Sequence, residues 1–125
     1  MTGAIVLFAH GARDPRWAEP FRAVAARMRA AVPGRRIELA FLELMQPDLD
    51  SAVGQLVDQG EIRIDVVPLF LGTGGHLRED LPRLVDRVRA ARAGLDLRLH
   101  PAIGESETVV DAMAAAALAL AAFGE

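Results

Sequence analysis

Of the three histidines in the chain, His10 and His76 stand in matching settings. Each follows an apolar run that reads as a strand. Ile5-Val-Leu-Phe-Ala leads into His10-Gly-Ala-Arg13-Asp-Pro15, and Val66-Val-Pro-Leu-Phe-Leu-Gly-Thr-Gly-Gly leads into His76-Leu-Arg78-Glu-Asp80. An imidazole binds borderline divalent metals and takes or gives a proton near neutral pH. Glu43 closes a third apolar run and would add an oxygen ligand or a proton acceptor, a donor set that suits zinc, iron, cobalt or nickel. Arg13, Arg16 and Arg78 follow the histidine loops and carry planar donor forks that match carboxylate or phosphate. Gly11, Gly74 and Gly75 would let a ligand approach the backbone closely, although the glycines miss the Gly-x-Gly-x-x-Gly spacing of a dinucleotide site. His100, before Pro101, reads as a surface residue.

Other chemistries are removed by composition. The chain has no Cys, Lys, Tyr or Asn. Thiolate nucleophiles, disulfides and Cys-rich zinc sites are therefore excluded, as are a Walker phosphate loop and a Schiff base. Ser51 and Ser106 are the only serines, and neither lies in the Gly-x-Ser-x-Gly setting of a hydrolase elbow. A net charge of −3 offers no broad basic field, so no nucleic-acid partner is expected. No charged and apolar leader opens the chain, which suggests a cytoplasmic protein. The longest apolar stretch, Ala112 to Phe123, is too short to span a bilayer, which takes about 20 residues, and is expected to be a packed helix.

The elements that must position these residues alternate regularly. Ala4–Ala9, Ile37–Leu42, Ile62–Leu71 and Leu95–Leu99 read as strands; Pro68 belongs at a frayed carboxyl end, since proline cannot donate to a ladder. Helical spacing follows each strand: after Asp14-Pro15, after Pro47-Asp48, around Leu77 to Val88 with Asp80 and Pro82 near its start, and from Glu105 onward. At 125 residues this is one domain, residues 1–125. Alternation over short links predicts an α/β three-layer sandwich on a parallel sheet, flavodoxin- or Rossmann-like, with strand order 2-1-3-4. The switch point then lies between the first and third strands, which puts the His10 loop beside the His76 loop and Glu43 on the same rim.

The segments Val-Leu-Phe-Ala-His10-Gly-Ala-Arg-Asp-Pro, Phe-Leu-Glu43-x-x-x-Pro and Val-Val-Pro-Leu-Phe-Leu-x-x-Gly-Gly-His76 resemble the sirohydrochlorin cobaltochelatase family of class II chelatases, in its short single-domain form. The resemblance implies a chelatase-like fold and insertion of a divalent metal into sirohydrochlorin or a related tetrapyrrole without ATP or a permanently bound cofactor. Cobalt would serve cobalamin synthesis and iron sirohaem synthesis, with nickel a further candidate substrate. By the match, His10 and His76 would hold the incoming ion and assist loss of two pyrrole protons. Glu43 would join them as a catalytic group, and the arginines would suit a substrate bearing many carboxylates. It also implies two short chains enclosing one cleft, hence a homodimer. Ala12 departs from the family pattern, which usually has Ser after His-Gly, so a hydroxyl contact is lost there. The competing expectation is a carrier that binds metal or tetrapyrrole without catalysing insertion. A flavodoxin-like signalling or nucleotide module would need a lysine with an acidic cluster, or a glycine fingerprint, and neither is present.

Overall fold

The computed structural model describes residues 3–122. Four strands form one parallel sheet: β1 (Ala4–Ala9), β2 (Ile37–Phe41), β3 (Arg63–Pro68) and β4 (Asp96–Leu99), in the spatial order β2-β1-β3-β4. β1 is an unbroken apolar run because both of its faces are covered, whereas β4 alternates Asp96-Leu97-Arg98-Leu99, with Leu97 buried and the two charged residues exposed. The helices are α1 (Glu19–Ala31), α2 (Leu49–Asp58), α3 (Gly75–Ala90) and α4 (Glu107–Ala122). This is the α/β fold expected, with strand order 2-1-3-4. Phe8 pairs with Pro68 at the last step of the β1–β3 ladder, so the proline ends its strand where it removes no interior bond.

The larger core lies under α2 and α3. Val6, Phe8, Ile64, Val66 and Leu97 from the sheet meet Leu49, Val53, Leu56, Leu81, Val85 and Val88 from the helices. A smaller cluster on the opposite face joins Leu7 and Ile37 to Ala25 of α1. Helix ends follow local chemistry. The Asp48 carboxylate accepts from the Ser51 backbone N–H at 2.8 Å and caps α2, while Asp14 caps a short 3-10 turn at Pro15–Ala18 that precedes α1. The Ser51 backbone N–H, aided by its hydroxyl, holds the Asp48 carboxyl below its usual pKa range.

Two expectations need correction. α3 starts at Gly75, with Gly74 as its N-cap, rather than at the charges near Asp80, and Pro82 lies inside it. His76 therefore sits in the first turn of a helix and not in a loop at a strand end. The alanine-rich last helix is not packed: every α4 residue from Val110 to Ala122 is exposed, including Leu118 and Leu120 at 73% and 76%. Apolar composition required cover for α4, but its own sheet does not supply it. Phe123, the last residue of that stretch, lies outside the described residues. Among the described residues, no helix is long and apolar enough to cross a membrane.

Candidate functional site

The carboxyl ends of β1 and β2 are locked together beyond the strands themselves. The Leu42 N–H donates to the Ala9 carbonyl at 2.9 Å, and the Glu43 N–H to the His10 carbonyl at 3.1 Å. This extension carries Glu43 alongside His10. Gly11 makes it possible: its φ of 98° is left-handed, and a Cβ there would collide with the Glu43 carbonyl oxygen. The close approach Gly11 allows is thus that of the neighbouring backbone. Leu44 also adopts a positive φ, 64°, in a three-residue turn closed by the Met45 N–H on the Glu43 carbonyl at 2.8 Å. A non-glycine residue in this region is strained, and the strain is held directly beside Glu43.

The two side chains meet as the backbones do. His10 Nε2 lies 2.9 Å from Glu43 Oε1, with the side chains 49% and 55% exposed. An exposed pair of this kind adds only about 0–1 kcal/mol to stability, so its role is orientation. An ionised carboxylate only accepts, so opposite it His10 donates from Nε2–H and keeps its Nδ1 lone pair for a metal or a proton. The imidazole is also packed edge-on to Phe70, with ring centroids 6.1 Å apart, and Phe70 in turn meets Phe8 at 6.3 Å. His10 is therefore held from two sides.

His76 stands on the same rim, carried by α3, which follows the strand adjacent to β1. It is exposed and has no hydrogen-bond partner among the described residues. No three His, Asp or Glu side chains among the described residues converge closely enough to hold an ion. The fold thus brings His10 and Glu43 into contact and leaves His76 as a separate group. Of the arginines expected at the rim, Arg16 is engaged by Asp14 through Nη2 and Oδ2 at 3.0 Å. Its guanidinium, helped by its backbone N–H, holds the Asp14 carboxyl below the usual carboxylate range. Arg78 Nε donates to Thr73 Oγ1 at 3.2 Å, and Arg13 is exposed. A Cβ at Gly74 or Gly75 would meet only open space, so packing does not require glycine at either position.

Sequence reasoning missed two features. A groove of about 470 Å³ runs from Leu42 and Leu77, neighbours of Glu43 and His76, along α3 past Leu81 and Leu84 to Arg83 and Arg87. It has an apolar floor and a rim that carries Arg83 and Arg87 together with Asp80, whose carboxylate lies 4.0 Å from Arg83, and helical spacing from His76 would have found it. The second feature is Asp65 in the middle of β3, only 6% exposed. Its carboxylate meets His100 Nε2 at 2.8 Å, Arg35 Nη2 at 3.2 Å and Arg63 Nε at 3.7 Å. His100 is surface-facing but tethered to a buried acid.

A family model described as CbiX matches residues 4–119. The chain belongs to the CbiX family. A CbiX chain described as a cobalamin (vitamin B12) biosynthesis protein, from Marinobacter aquaeolei VT8, superposes with a TM-score of 0.82 at 35% identity, covering 91% of this chain and 92% of that one. Sirohydrochlorin chelatase SirB from Bacillus subtilis subspecies spizizenii, in complex with cobalt, gives a TM-score of 0.77 at 31% identity over 90% of this chain and 48% of that chain. Among curated relatives, the sirohydrochlorin ferrochelatase of Bacillus subtilis (strain 168) is 31% identical over 90% of this chain and 43% of its own length. The sirohydrochlorin cobaltochelatase of Methanocaldococcus jannaschii is 35% identical over 66% of this chain and 57% of its own length. This CbiX chain thus spans about half the length of the curated relatives it matches.

Proposed function

We propose that this chain inserts a divalent metal into sirohydrochlorin or a closely related tetrapyrrole, with cobalt the foremost substrate and iron or nickel next. The carrying observation is the His10–Glu43 contact at 2.9 Å, on a rim shared with His76 and adjoined by an apolar groove edged with arginine. The reaction joins a divalent ion to a free-base macrocycle and releases two pyrrole protons, so it needs a metal-handling group and a proton acceptor but no nucleotide or redox carrier. With Nε2–H given to Glu43, His10 offers Nδ1 for one of these roles, and His76 supplies the second imidazole. Holding ion and ring in line lowers the barrier by orientation, and a site that binds a bent ring better than a flat one adds to it. Arg13, Arg16 and Arg78 meet the carboxylates of the substrate. One sheet rim faces one side of so large a ligand, and the Bacillus subtilis relatives are about twice as long, which supports a homodimer as the working unit.

The test incubates the purified protein with sirohydrochlorin and Co²⁺, Ni²⁺ or Fe²⁺ and follows the absorption of the macrocycle. The wild-type chain is expected to exceed the metal-only rate. His10→Ala and His76→Ala should each abolish that excess while keeping the native circular dichroism. Full activity in both variants refutes the site; binding of metal or macrocycle without any excess rate points instead to a carrier.

A further inference from the structure

Outside α4, only two leucines are exposed among the described residues, Leu44 at 60% and Leu71 at 61%. Both lie on the rim. Leu44 follows Glu43 and stands three residues past the end of β2; Leu71 stands three residues past the end of β3 and follows Phe70, whose ring packs on the imidazole. β1 runs between those two strands, so the leucines flank His10 from opposite sides. Two strand spacings, about 10 Å, separate the chain segments that carry them.

Neither side chain is exposed because its backbone is slack. The Met45 N–H closes the turn around Leu44 on the Glu43 carbonyl at 2.8 Å, and with a central φ of 64° this is the rarer, strained form of a three-residue turn. Gly or Asn would adopt that conformation with less cost. A leucine there is neither favoured by the backbone nor used by the core, so its side chain answers to something outside this chain's own packing. Leu71 is held as firmly. Gly104 is pressed so closely against it that a Cβ would collide with the Leu71 carbonyl oxygen, and the Gly104 N–H donates to the Phe70 carbonyl at 3.0 Å.

We infer that Leu44 and Leu71 are positioning residues, which pack on the apolar face of the macrocycle on either side of His10 and fix where its central nitrogens sit. This rests on the chelatase reading above and adds to it two groups that neither hold metal nor move protons. The reacting atoms of a tetrapyrrole lie at the centre of a plane four pyrrole rings wide. To bring them to the His10–Glu43 pair, the plane has to lay its outer rings over the segments about 5 Å to either side of β1, which are those of Leu44 and Leu71. The carboxylates at the ring edge call for arginine, whereas the face of the ring calls for an apolar contact. Rigid backbones under both leucines keep the ordering cost of that contact low, which gives the strained turn at Leu44 a use.

Leu44→Gly, Leu44→Asn and Leu71→Ala are compared with the wild-type chain in two measurements. Binding of metal-free sirohydrochlorin is followed by its absorption, and initial rates of Co²⁺ insertion are recorded with each substrate varied in turn. Each variant should keep the native circular dichroism and raise the Kd and KM for the macrocycle about 10-fold, with the KM for Co²⁺ unchanged. Leu44→Met, which keeps an apolar side chain of similar volume, should restore most of the affinity. Wild-type affinity for the macrocycle in all three truncated variants overturns the inference. So does an equal rise in both KM values, which would mean a general disturbance of the rim, or a fall in sedimentation mass at unchanged affinity, which would assign the leucines to a contact between copies of the chain. A wild-type chain that neither binds nor metallates sirohydrochlorin fails the chelatase reading itself; one that does both, with variants that match it, fails only the role given to the leucines.

Discussion

Gly11→Ala tests whether the rim depends on the backbone approach between His10 and Glu43. At φ 98° an L side chain costs about 1–2 kcal/mol. The added methyl also has to displace the Glu43 carbonyl, which breaks the bond from the Glu43 N–H to the His10 carbonyl and costs about 1 kcal/mol more. Reduced freedom of the unfolded chain returns about 0.5 kcal/mol. The net loss is about 2 kcal/mol, small enough to leave most small domains folded. In urea this moves the unfolding midpoint down by about 1 M, read by circular dichroism. Once the Glu43 backbone moves, its carboxylate no longer meets His10 Nε2, and loss of such an orienting partner reduces activity about 10- to 100-fold. Gly34→Ala is the control, because a Cβ there meets nothing within 4 Å. If Gly11→Ala unfolds with the wild-type midpoint and keeps full chelation, the locked rim is not what positions His10.

The Asp65 cluster and the α2 cap give two further expectations. Asp65→Ala removes the acceptor of the Arg35 guanidinium and the counter-charge 3.7 Å from Arg63 Nε; since both cations are partly solvated, the loss is about 2 kcal/mol rather than that of a fully buried pair, measured by urea unfolding. An unchanged midpoint would mean that water already satisfies these cations. Asp48→Ala removes the cap on α2 and should cost about 1 kcal/mol at neutral pH. The native Asp48 carboxyl lies below its ordinary value because the Ser51 backbone N–H, then its hydroxyl, bonds the charged form. Its contribution is therefore complete above an unfolded pKa of about 3.9 and fades as pH falls through the depressed native value. Asp48→Asn should keep most of the cap and lose that acid dependence, and identical acid unfolding curves for the Asp48→Asn variant and the wild-type chain would refute the assignment.

Strand order was legible because few topologies survive once four strands alternate with helices over short links and each crossover is right-handed. That topology alone put His10, Glu43 and His76 on one rim. The start of α3 was not legible, since Gly-Thr-Gly-Gly has loop composition and Gly74 caps the helix without a side-chain bond. Asp65 escaped notice because its partners are remote: Arg35 comes from the turn after α1 and His100 from beyond β4. A single acid inside an apolar run is the local sign of such a pairing, since an unpaired charge would not be buried there. The bare α4 was hidden for another reason. Apolar composition says that a helix is suited to burial, but not that the fold leaves Leu118 and Leu120 exposed.

Phe70 links these separate features. Its ring packs on His10 and Phe8, and its carbonyl accepts the Gly104 N–H of the connection to α4. The residue is 6% exposed, so it cannot shift without disturbing either neighbour. The imidazole that faces Glu43 on one side is thus braced on the other by the ring of the residue whose backbone carbonyl holds the connection to α4. The start of α4 is therefore linked to the rim through one aromatic ring and one backbone hydrogen bond.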